Sequence, residues 1–277
     1  MAEFKDRLRF LVIDNTNGQD KEIHKLREDG FETEIVNNDT QGKKGSYGHA
    51  CGLNVAMSII KTKYALITDP DVYVFKNKWD SFLIELISSE RIAAVGTSFP
   101  EWQLGKYHDF PNPVFCFFRT YEYMQLEPDW TPFGANRLVK CWDFFRRNVL
   151  RLGIIINRRV YEKHKPIRVI WSRLEKIIGI CSRDTGWRIA KKARENKIKG
   201  EVFKATLPSE KIEGDETGIL NQFASEFEVY CYENEPILTH KYSTCSRLWR
   251  TERSRETDYW LSCIEKTKDS ITKGDKV

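Results

Sequence analysis

Apolar runs with the length of β-strands alternate with helix-like stretches over the first hundred residues of the chain. The predicted strands lie near Arg9–Asp14, Phe31–Val36, Tyr64–Thr68 and Ile92–Ser98, and the predicted helices lie near Gln19–Asp29, Gly48–Lys61 and Lys78–Ser88. Such alternation is typical of folds in which helices cover both faces of a parallel sheet. We therefore predict an α/β protein with a Rossmann-like domain, in which a mostly parallel central sheet is flanked by helices.

The bulk composition favours one globular domain. A chain of 277 residues, of which 40% are hydrophobic, can bury a large core. It shows no internal repeat and no flexible linker, so we predict a single domain over residues 1–277. No apolar run approaches the ~20 residues that a membrane-spanning helix needs, and the start of the chain lacks the pattern of a signal peptide. We therefore expect a cytoplasmic protein.

Two carboxylates follow the apolar strand Tyr64–Thr68, at Asp69 and Asp71. The carboxyl ends of strands are where open α/β sheets bind ligands, and hard divalent cations favour carboxylate oxygens. Pro70 fixes its own φ and biases Asp69 toward an extended backbone, so the two side chains are held in place. The pattern predicts a metal site, and an ordinary polar loop after a strand is the alternative.

Three further motifs flank this pair of aspartates. Leu11–Gly18 is typical of a strand that ends in an acidic turn, Gly45–Asn54 of a glycine-rich loop that enters a helix, and Ile92–Thr97 of another strand. The order of these motifs resembles that of the family 2 glycosyltransferases of the glycosyltransferase-A fold. The resemblance extends over about residues 9–98, and weaker similarity continues in the later part of the chain.

The resemblance implies a donor side and an acceptor side. Residues 1–98 would bind a nucleotide-sugar, residues 99–245 would form the acceptor half, and residues 246–277 would form a C-terminal helix. The resemblance also implies Mn²⁺ or Mg²⁺ as cofactor, and the implied ligands are Asp69, Asp71 and His240. The residues implied in nucleotide and donor binding are Asp14, Asn15, Gly48, His49, Asn54 and Asp69. For His240 the alternative is an ordinary place in the core or on the surface, and for His49 it is that of an ordinary residue at the N-terminus of a helix.

Asp184 is the candidate catalytic base. An acceptor hydroxyl must lose its proton as the new sugar bond forms, and a positioned carboxylate can take that proton. The family carries a Glu-Asp pair at the start of a helix, and Arg183-Asp184 retains only the aspartate. The alternative is that Asp184 caps a helix that runs from Trp187 to Asn196.

A strongly basic segment lies between Arg137 and Lys199. It holds 19 Lys and Arg against 5 Asp and Glu, a local balance of +14, whereas the whole chain carries a net charge of +5. Such asymmetry favours an anionic partner, which includes a membrane surface contacted peripherally, a phosphate-bearing substrate or a nucleic acid. A solvated helical face is the alternative. Because no helix-turn-helix, zinc or RNA-recognition signature is present, we expect no nucleic-acid partner.

Together these features predict a metal-dependent, inverting glycosyltransferase. It would move a sugar from a nucleotide-diphosphate donor to a hydroxyl group of a saccharide or lipid-linked acceptor. Three alternatives stay open: a sugar-phosphate nucleotidyltransferase, a basic nucleic-acid-binding protein, and a catalytically inactive nucleotide-binding protein. The first of these would carry a glycine-rich signature with Arg or Lys directly after its first strand, and nothing after Asp14 matches that signature.

Overall fold

The computed structural model describes residues 5–88, 92–103, 105–132, 141, 158–178, 180, 183–215, 218–241 and 257–274. The strands are β1 Arg9–Asp14, β2 Glu32–Asn37, β3 Tyr64–Thr68, β4 Val72–Val74, β5 Ile92–Thr97, β6 Phe115–Arg119, β7 Lys199–Ala205, β8 Glu228–Tyr232 and β9 Glu235–His240. The helices are α1 Lys25–Glu28, α2 Ser46–Ile59, α3 Trp79–Leu86, α4 Thr120–Met124, α5 Arg158–Lys163, α6 Lys165–Ile178, α7 Trp187–Glu195, α8 Ile219–Glu226 and α9 Thr257–Gly274. Residues 137–140 and 142–157 of the basic segment lie outside the described residues.

The main sheet is mixed, so the prediction of a mostly parallel Rossmann-like sheet is wrong. Its seven strands follow the order β3-β6-β5-β7-β8-β9-β4. Among the described strands of this sheet, β5 and β7 are the one parallel pair, and the other five neighbouring pairs are antiparallel. A second parallel pair, β1 and β2, forms a separate two-stranded sheet.

The connections between strands explain this antiparallel pairing. A parallel neighbour needs a long crossover, usually a helix, whereas an antiparallel neighbour can follow a simple reversal of the chain. Between β5 and β6 the described residues form bends and turns without a helix, and β6 returns beside β5 in the opposite direction. β8 and β9 are joined by Glu233 and Asn234, which both have positive φ, as a tight two-residue hairpin requires.

The two edges of the main sheet meet at the segment Asp69–Asp71. β3 and β4 are the strands at the two opposite edges of the sheet, but only the three residues of this segment separate them in the chain. Because so short a connection spans at most about 14 Å, the sheet must curl until its edges nearly close on each other. The Asp69 N–H donates to Val114 O just before β6 at 2.9 Å, and the Lys241 N–H just after β9 donates to Asp71 O at 2.9 Å. The two aspartates therefore link opposite edges of the sheet.

Both faces of the main sheet are buried. Successive residues of β6 join different core clusters, since Cys116 and Phe118 pack with α2 and α7, whereas Phe115 and Phe117 pack with α3. A third cluster joins β8 to α8 and α9, where Trp260 and other apolar side chains are buried. Among the helices that the structure describes, none combines the length and the apolar character needed to cross a bilayer.

Helix α2 approaches the loop after β1 through glycines. A Cβ atom added to Gly48 would lie 2.8 Å from Lys43 O, and one added to Gly52 would lie 2.9 Å from Asn15 Nδ2. Gly52 therefore lets α2 pack closely on the loop after β1, and Gly48 lets the first turn of α2 pack closely on the backbone of the loop that precedes it. The start of α2 is thereby placed beside the meeting point of the sheet edges.

Candidate functional site

Asp69, Asp71 and His240 converge where the sheet edges meet. His240 is the last residue of β9 and pairs with Val72 of β4, which brings its ring next to the aspartates. Its Nε2 atom lies 3.2 Å from Asp71 Oδ1 and 3.9 Å from Asp69 Oδ2. One potential ligand atom from each of the three residues lies within 4.8 Å of the others. Two carboxylates and an imidazole can hold Mn²⁺, and they suit Mg²⁺ less well because Mg²⁺ prefers oxygen ligands.

Glu228 holds the His240 ring from the protein interior. Glu228 Oε2 lies 3.2 Å from His240 Nδ1 and accepts a hydrogen bond from the Tyr230 hydroxyl at 2.8 Å. Because an ionised carboxylate only accepts hydrogen bonds, Nδ1 carries a proton and Nε2 is the atom presented to the two aspartates. A carboxylate behind the ring is the usual way to orient a metal-binding histidine.

Glu228 is a site residue that no sequence pattern predicted. The signal in the sequence is a charged residue at the edge of an apolar run, at a position that is 3% exposed in the structure. A buried carboxylate needs a partner, but its partner is decided by strand pairing. The pairing of β8 with β9 sets Glu228 opposite His240, twelve residues further along the chain.

The electrostatics of the cluster favour a positive charge between the carboxylates. Burial lowers the pKa of His240, but hydrogen bonds to Asp71 and Glu228 outweigh this effect and raise its pKa to about 10. Burial raises the pKa of Asp71, but the hydrogen bond and charge of His240 hold it below its usual range. Burial raises the pKa of Asp69 above its usual range, and two nearby imidazoles oppose the shift only in part. A cation bound to His240 Nε2 would replace the proton there.

His49 brings a second imidazole to the same cluster. It lies in the first turns of α2, and its Nε2 atom is 3.4 Å from Asp69 Oδ1. The other carboxylate oxygen of Asp69, Oδ2, lies 3.9 Å from His240 Nε2, so Asp69 lies between the two histidines. The His49 side chain is 37% exposed, so it borders the solvent-facing side of the cluster. Its role in donor binding stays a prediction.

The loop after β1 is tied to α2 by Asn15, whose Nδ2 group donates to Gly48 O at 3.3 Å. Asp14 shapes the loop itself, because its carboxylate accepts hydrogen bonds from Thr16 and from the Gly18 N–H at 2.6 to 2.7 Å. The hydrogen bond from Thr16 contributes most to holding the pKa of Asp14 below its usual range. These contacts account for the local structure, and the predicted contacts of Asp14, Asn15 and Gly48 with a donor are not tested by them.

Asn54 lies further along α2 and holds a different loop. Its Oδ1 atom accepts a hydrogen bond from the Trp130 N–H at 3.0 Å, and its Nδ2 group donates to Thr131 Oγ1 at 3.4 Å. These hydrogen bonds join α2 to the loop that follows α4, and they do not reach the aspartate cluster. The predicted donor contact of Asn54 stays a prediction.

Asp184 forms an ion pair with Lys106, whose Nζ atom lies 2.7 Å from Asp184 Oδ2. Asp184 Oδ1 accepts the N–H of the next residue, Thr185, at 2.9 Å. The alternative that Asp184 caps the following helix is wrong: α7 starts after Gly186, which has φ of 82° and provides no side-chain cap. Burial raises the pKa of Asp184, but the Lys106 charge and hydrogen bond outweigh burial and hold the pKa below its usual range.

Helix α2 also connects Asp184 to the aspartate cluster. Ser46, the first residue of α2, is a hydrogen-bond partner of the Asp184 carboxylate. His49, three residues further along the helix, contacts Asp69. Because a helix rises about 1.5 Å per residue, these two contacts are separated by roughly one turn along its axis. The structure therefore brings Asp184 to the same end of α2 as the metal-competent residues.

Substitution of Glu228 by Gln is expected to weaken Mn²⁺ binding by about 10- to 100-fold, the usual cost of altering a group that orients a metal ligand. The substitution keeps the size of the side chain but removes the charge behind His240. Titration of the protein with Mn²⁺, followed by the electron paramagnetic resonance of the free ion, measures the affinity.

Tyr230→Phe is the matched control for Glu228→Gln. It removes the hydroxyl that donates to Glu228 at 2.8 Å and leaves the contact between Glu228 and His240 in place. We expect a smaller loss of Mn²⁺ affinity for this control. If the Glu228→Gln protein binds Mn²⁺ as tightly as the parent does, Glu228 does not orient a metal ligand.

Comparison with known proteins identifies no relative. Models of known protein families, curated proteins and solved structures were each compared with the chain, and none of them matches it. A function for this protein is therefore inferred from its site and from the motifs in its sequence.

Proposed function

We propose that this protein is a metal-dependent glycosyltransferase that moves a sugar from a nucleoside diphosphate sugar to an acceptor hydroxyl. The observation that carries the proposal is the convergence of Asp69, Asp71 and His240 within 4.8 Å, with Glu228 behind the histidine. The order of sequence motifs that resembles family 2 glycosyltransferases supports the same reaction.

In this proposal the metal site serves the leaving group. Asp71 and His240 would hold Mn²⁺ or Mg²⁺, with Asp69 as the third ligand. The bound cation would neutralise the negative charge that develops on the departing diphosphate. His49, whose Nε2 atom lies 3.4 Å from Asp69 and whose side chain is partly exposed, would contact the diphosphate.

Asp184 would accept the proton of the acceptor hydroxyl. It lies at the same end of α2 as the aspartate cluster, and its ion pair with Lys106 keeps it ionised near neutral pH. The low pKa makes it a weaker base, but a positioned carboxylate needs to take the proton only as the new bond forms. Direct attack by the acceptor from the side opposite the diphosphate would invert the anomeric centre.

The first test is a thermal-shift screen of UDP, GDP, ADP and CDP, each with and without Mn²⁺. We expect one of them to raise the melting temperature when Mn²⁺ is present and to have little effect without it, because a ligand specific for the folded state stabilises that state. At a ligand concentration of 100 times Kd the gain is about 2.7 kcal/mol. Stabilisation by no nucleotide, or stabilisation independent of the metal, would contradict the proposal.

The reaction products separate transfer from the sugar-phosphate nucleotidyltransferase alternative. The matching nucleotide-sugar is incubated with the protein and Mn²⁺, and in a second reaction a nucleoside triphosphate is supplied with a sugar phosphate. Release of the nucleoside diphosphate in the first reaction supports glycosyl transfer. Release of pyrophosphate in the second reaction alone would favour nucleotidyl transfer instead.

A further inference from the structure

Helix α6, Lys165–Ile178, exposes apolar side chains to an unusual extent. Half of the well-exposed large hydrophobic side chains in the described residues lie on this helix: Val169 is 52% exposed, Ile170 56% and Ile177 81%. Exposing a branched aliphatic side chain to water is unfavourable, and clustered exposure of this kind marks an interaction surface.

Two of these side chains lie on one side of the helix. Ile170 and Ile177 are seven residues apart, which is two turns of an α-helix, so they project from nearly the same side about 10 Å apart along the axis. Arg173 lies between them and is exposed. An exposed aliphatic row that includes a basic residue is therefore built into the surface of α6.

The start of α6 is anchored to the rest of the protein. The Arg168 guanidinium donates to the backbone oxygens of Tyr161 and Glu162 at 2.6 and 2.8 Å. The Tyr161 side chain is buried, and its hydroxyl donates to Glu101 at 2.7 Å. The apolar row of α6 is thus presented from a helix that is held in place at its first turn.

The exposed surface around the apolar row is basic. The exposed basic side chains just before the helix and along it are those of Lys163, Lys165, Arg173 and Lys176. These four residues belong to the segment 137–199, whose local charge balance is +14. Cations of this kind gain free energy next to anionic headgroups, and the gain falls within a Debye length of the surface.

We propose that α6 docks on the surface of an anionic lipid bilayer, with Ile170 and Ile177 in the boundary between headgroups and acyl chains and the basic side chains on lipid phosphates. An interfacial helix is stabilised by both its apolar and its basic side chains, and α6 exposes both kinds. A nucleic acid would use the cations but would gain little from exposed isoleucines, so a lipid surface accounts for more of the observations. The inference is independent of the proposed sugar transfer.

The test is flotation of the full chain with vesicles of phosphatidylcholine alone or of phosphatidylcholine mixed with phosphatidylglycerol. We expect at least tenfold more binding to the anionic vesicles and a strong decrease of that binding at high salt. Ile170→Ser/Ile177→Ser is expected to reduce binding at least tenfold, since burial of aliphatic groups contributes to interfacial binding. Arg173→Glu/Lys176→Glu is expected to reduce it more than twentyfold, since each basic group near the surface contributes about fivefold.

Matched controls place substitutions of the same kind elsewhere. Tyr121→Ser removes a side chain that is 76% exposed on α4, and Lys61→Glu/Lys211→Glu changes the net charge as much as the α6 charge variant does, at exposed positions outside the basic segment. Both controls should bind anionic vesicles as the parent does, and circular dichroism should show that all variants are folded. Equal binding of the parent to both kinds of vesicle would overturn the proposal. The proposal would also be overturned if the charge control lost as much binding as the α6 charge variant does. Unchanged binding of the isoleucine variant, with preferential binding of the parent to duplex DNA, would point to a nucleic acid instead.

Discussion

Asp71→Asn is expected to remove the Mn²⁺-dependent stabilisation that a nucleoside diphosphate gives the parent protein. Asp71 contacts His240 Nε2 at 3.2 Å and is the more solvent-accessible of the two aspartates, with 38% of its side chain exposed. Asparagine keeps the shape of the side chain but replaces an anionic ligand by a weak neutral one. Because changes behind a metal ligand already cost about 10- to 100-fold, the loss of a ligand should weaken Mn²⁺ binding by more than about 100-fold.

Isothermal titration with Mn²⁺ and thermal shifts with the nucleotide identified in the screen together measure this effect. The ligand-free melting temperature should fall, because the substitution removes a carboxylate that pairs with buried His240, so the metal-dependent shift is measured from the ligand-free value of each protein. Asp29→Asn, a substitution of an exposed aspartate at the end of α1, is the matched control and should behave as the parent does. Metal-dependent binding by Asp71→Asn equal to that of the parent would exclude Asp71 as a metal ligand.

Asp184→Asn is expected to slow sugar transfer by ~10²–10⁴-fold, the usual contribution of a positioned general base. Donor affinity should survive, because in the proposed reaction this carboxylate faces the acceptor and not the diphosphate. The measurements are the transfer rate and the donor affinity, once an acceptor is known. A rate close to that of the parent would leave Asp184 with a structural role, and loss of donor binding would place it in the metal or nucleotide site.

Lys106→Gln separates a base from a merely structural ion pair. Both this variant and Asp184→Asn break the 2.7 Å ion pair, but only Lys106→Gln keeps the carboxylate. If Asp184 is the base, Lys106→Gln should retain most of the transfer rate at alkaline pH, whereas Asp184→Asn should not. If the ion pair serves only the fold, both variants should lose a similar amount of activity and of thermal stability.

The pH dependence of these proteins follows from the pKa of Asp184. In the parent, Lys106 holds this pKa below its usual range, so the base is ionised and the rate should be level through neutral pH. In Lys106→Gln, burial remains without the compensating charge, so the pKa should rise and the rate should fall as the solution becomes acidic.

Proton NMR of the product would then show whether the anomeric centre is inverted, as a single displacement requires.

Local sequence patterns predicted several elements correctly because the patterns are themselves local. The structure places β1 at Arg9–Asp14 and β3 at Tyr64–Thr68, at the bounds predicted from their apolar runs. The helix predicted near Gly48–Lys61 is present as α2, Ser46–Ile59. Such runs are recognised from the periodicity and type of neighbouring side chains, so their prediction does not depend on the rest of the chain.

The direction and order of the strands were decided by the tertiary structure. A strand buried on both faces shows a continuous apolar run whether its neighbours are parallel or antiparallel, and Phe115–Arg119 is such a strand. The short strand β4, Val72–Val74, was not predicted because its apolar run, Val72–Phe75, is only four residues long, although this strand places Asp71 beside β9. The lengths of the connections between strands therefore decide that the sheet is mixed and nearly closed.

The same division applies to the candidate site. The sequence by itself determined that Asp69 and Asp71 follow a strand, because strand and carboxylates are adjacent in the chain. Only the tertiary structure decided that Glu228 lies behind His240 and that Lys106 pairs with Asp184, 78 residues away. The physical reason is that a buried charge requires a partner but does not specify where in the chain that partner lies. The pairing of β8 with β9 brings Glu228 to His240, and the approach of the loop after β5 to the segment before α7 brings Lys106 to Asp184.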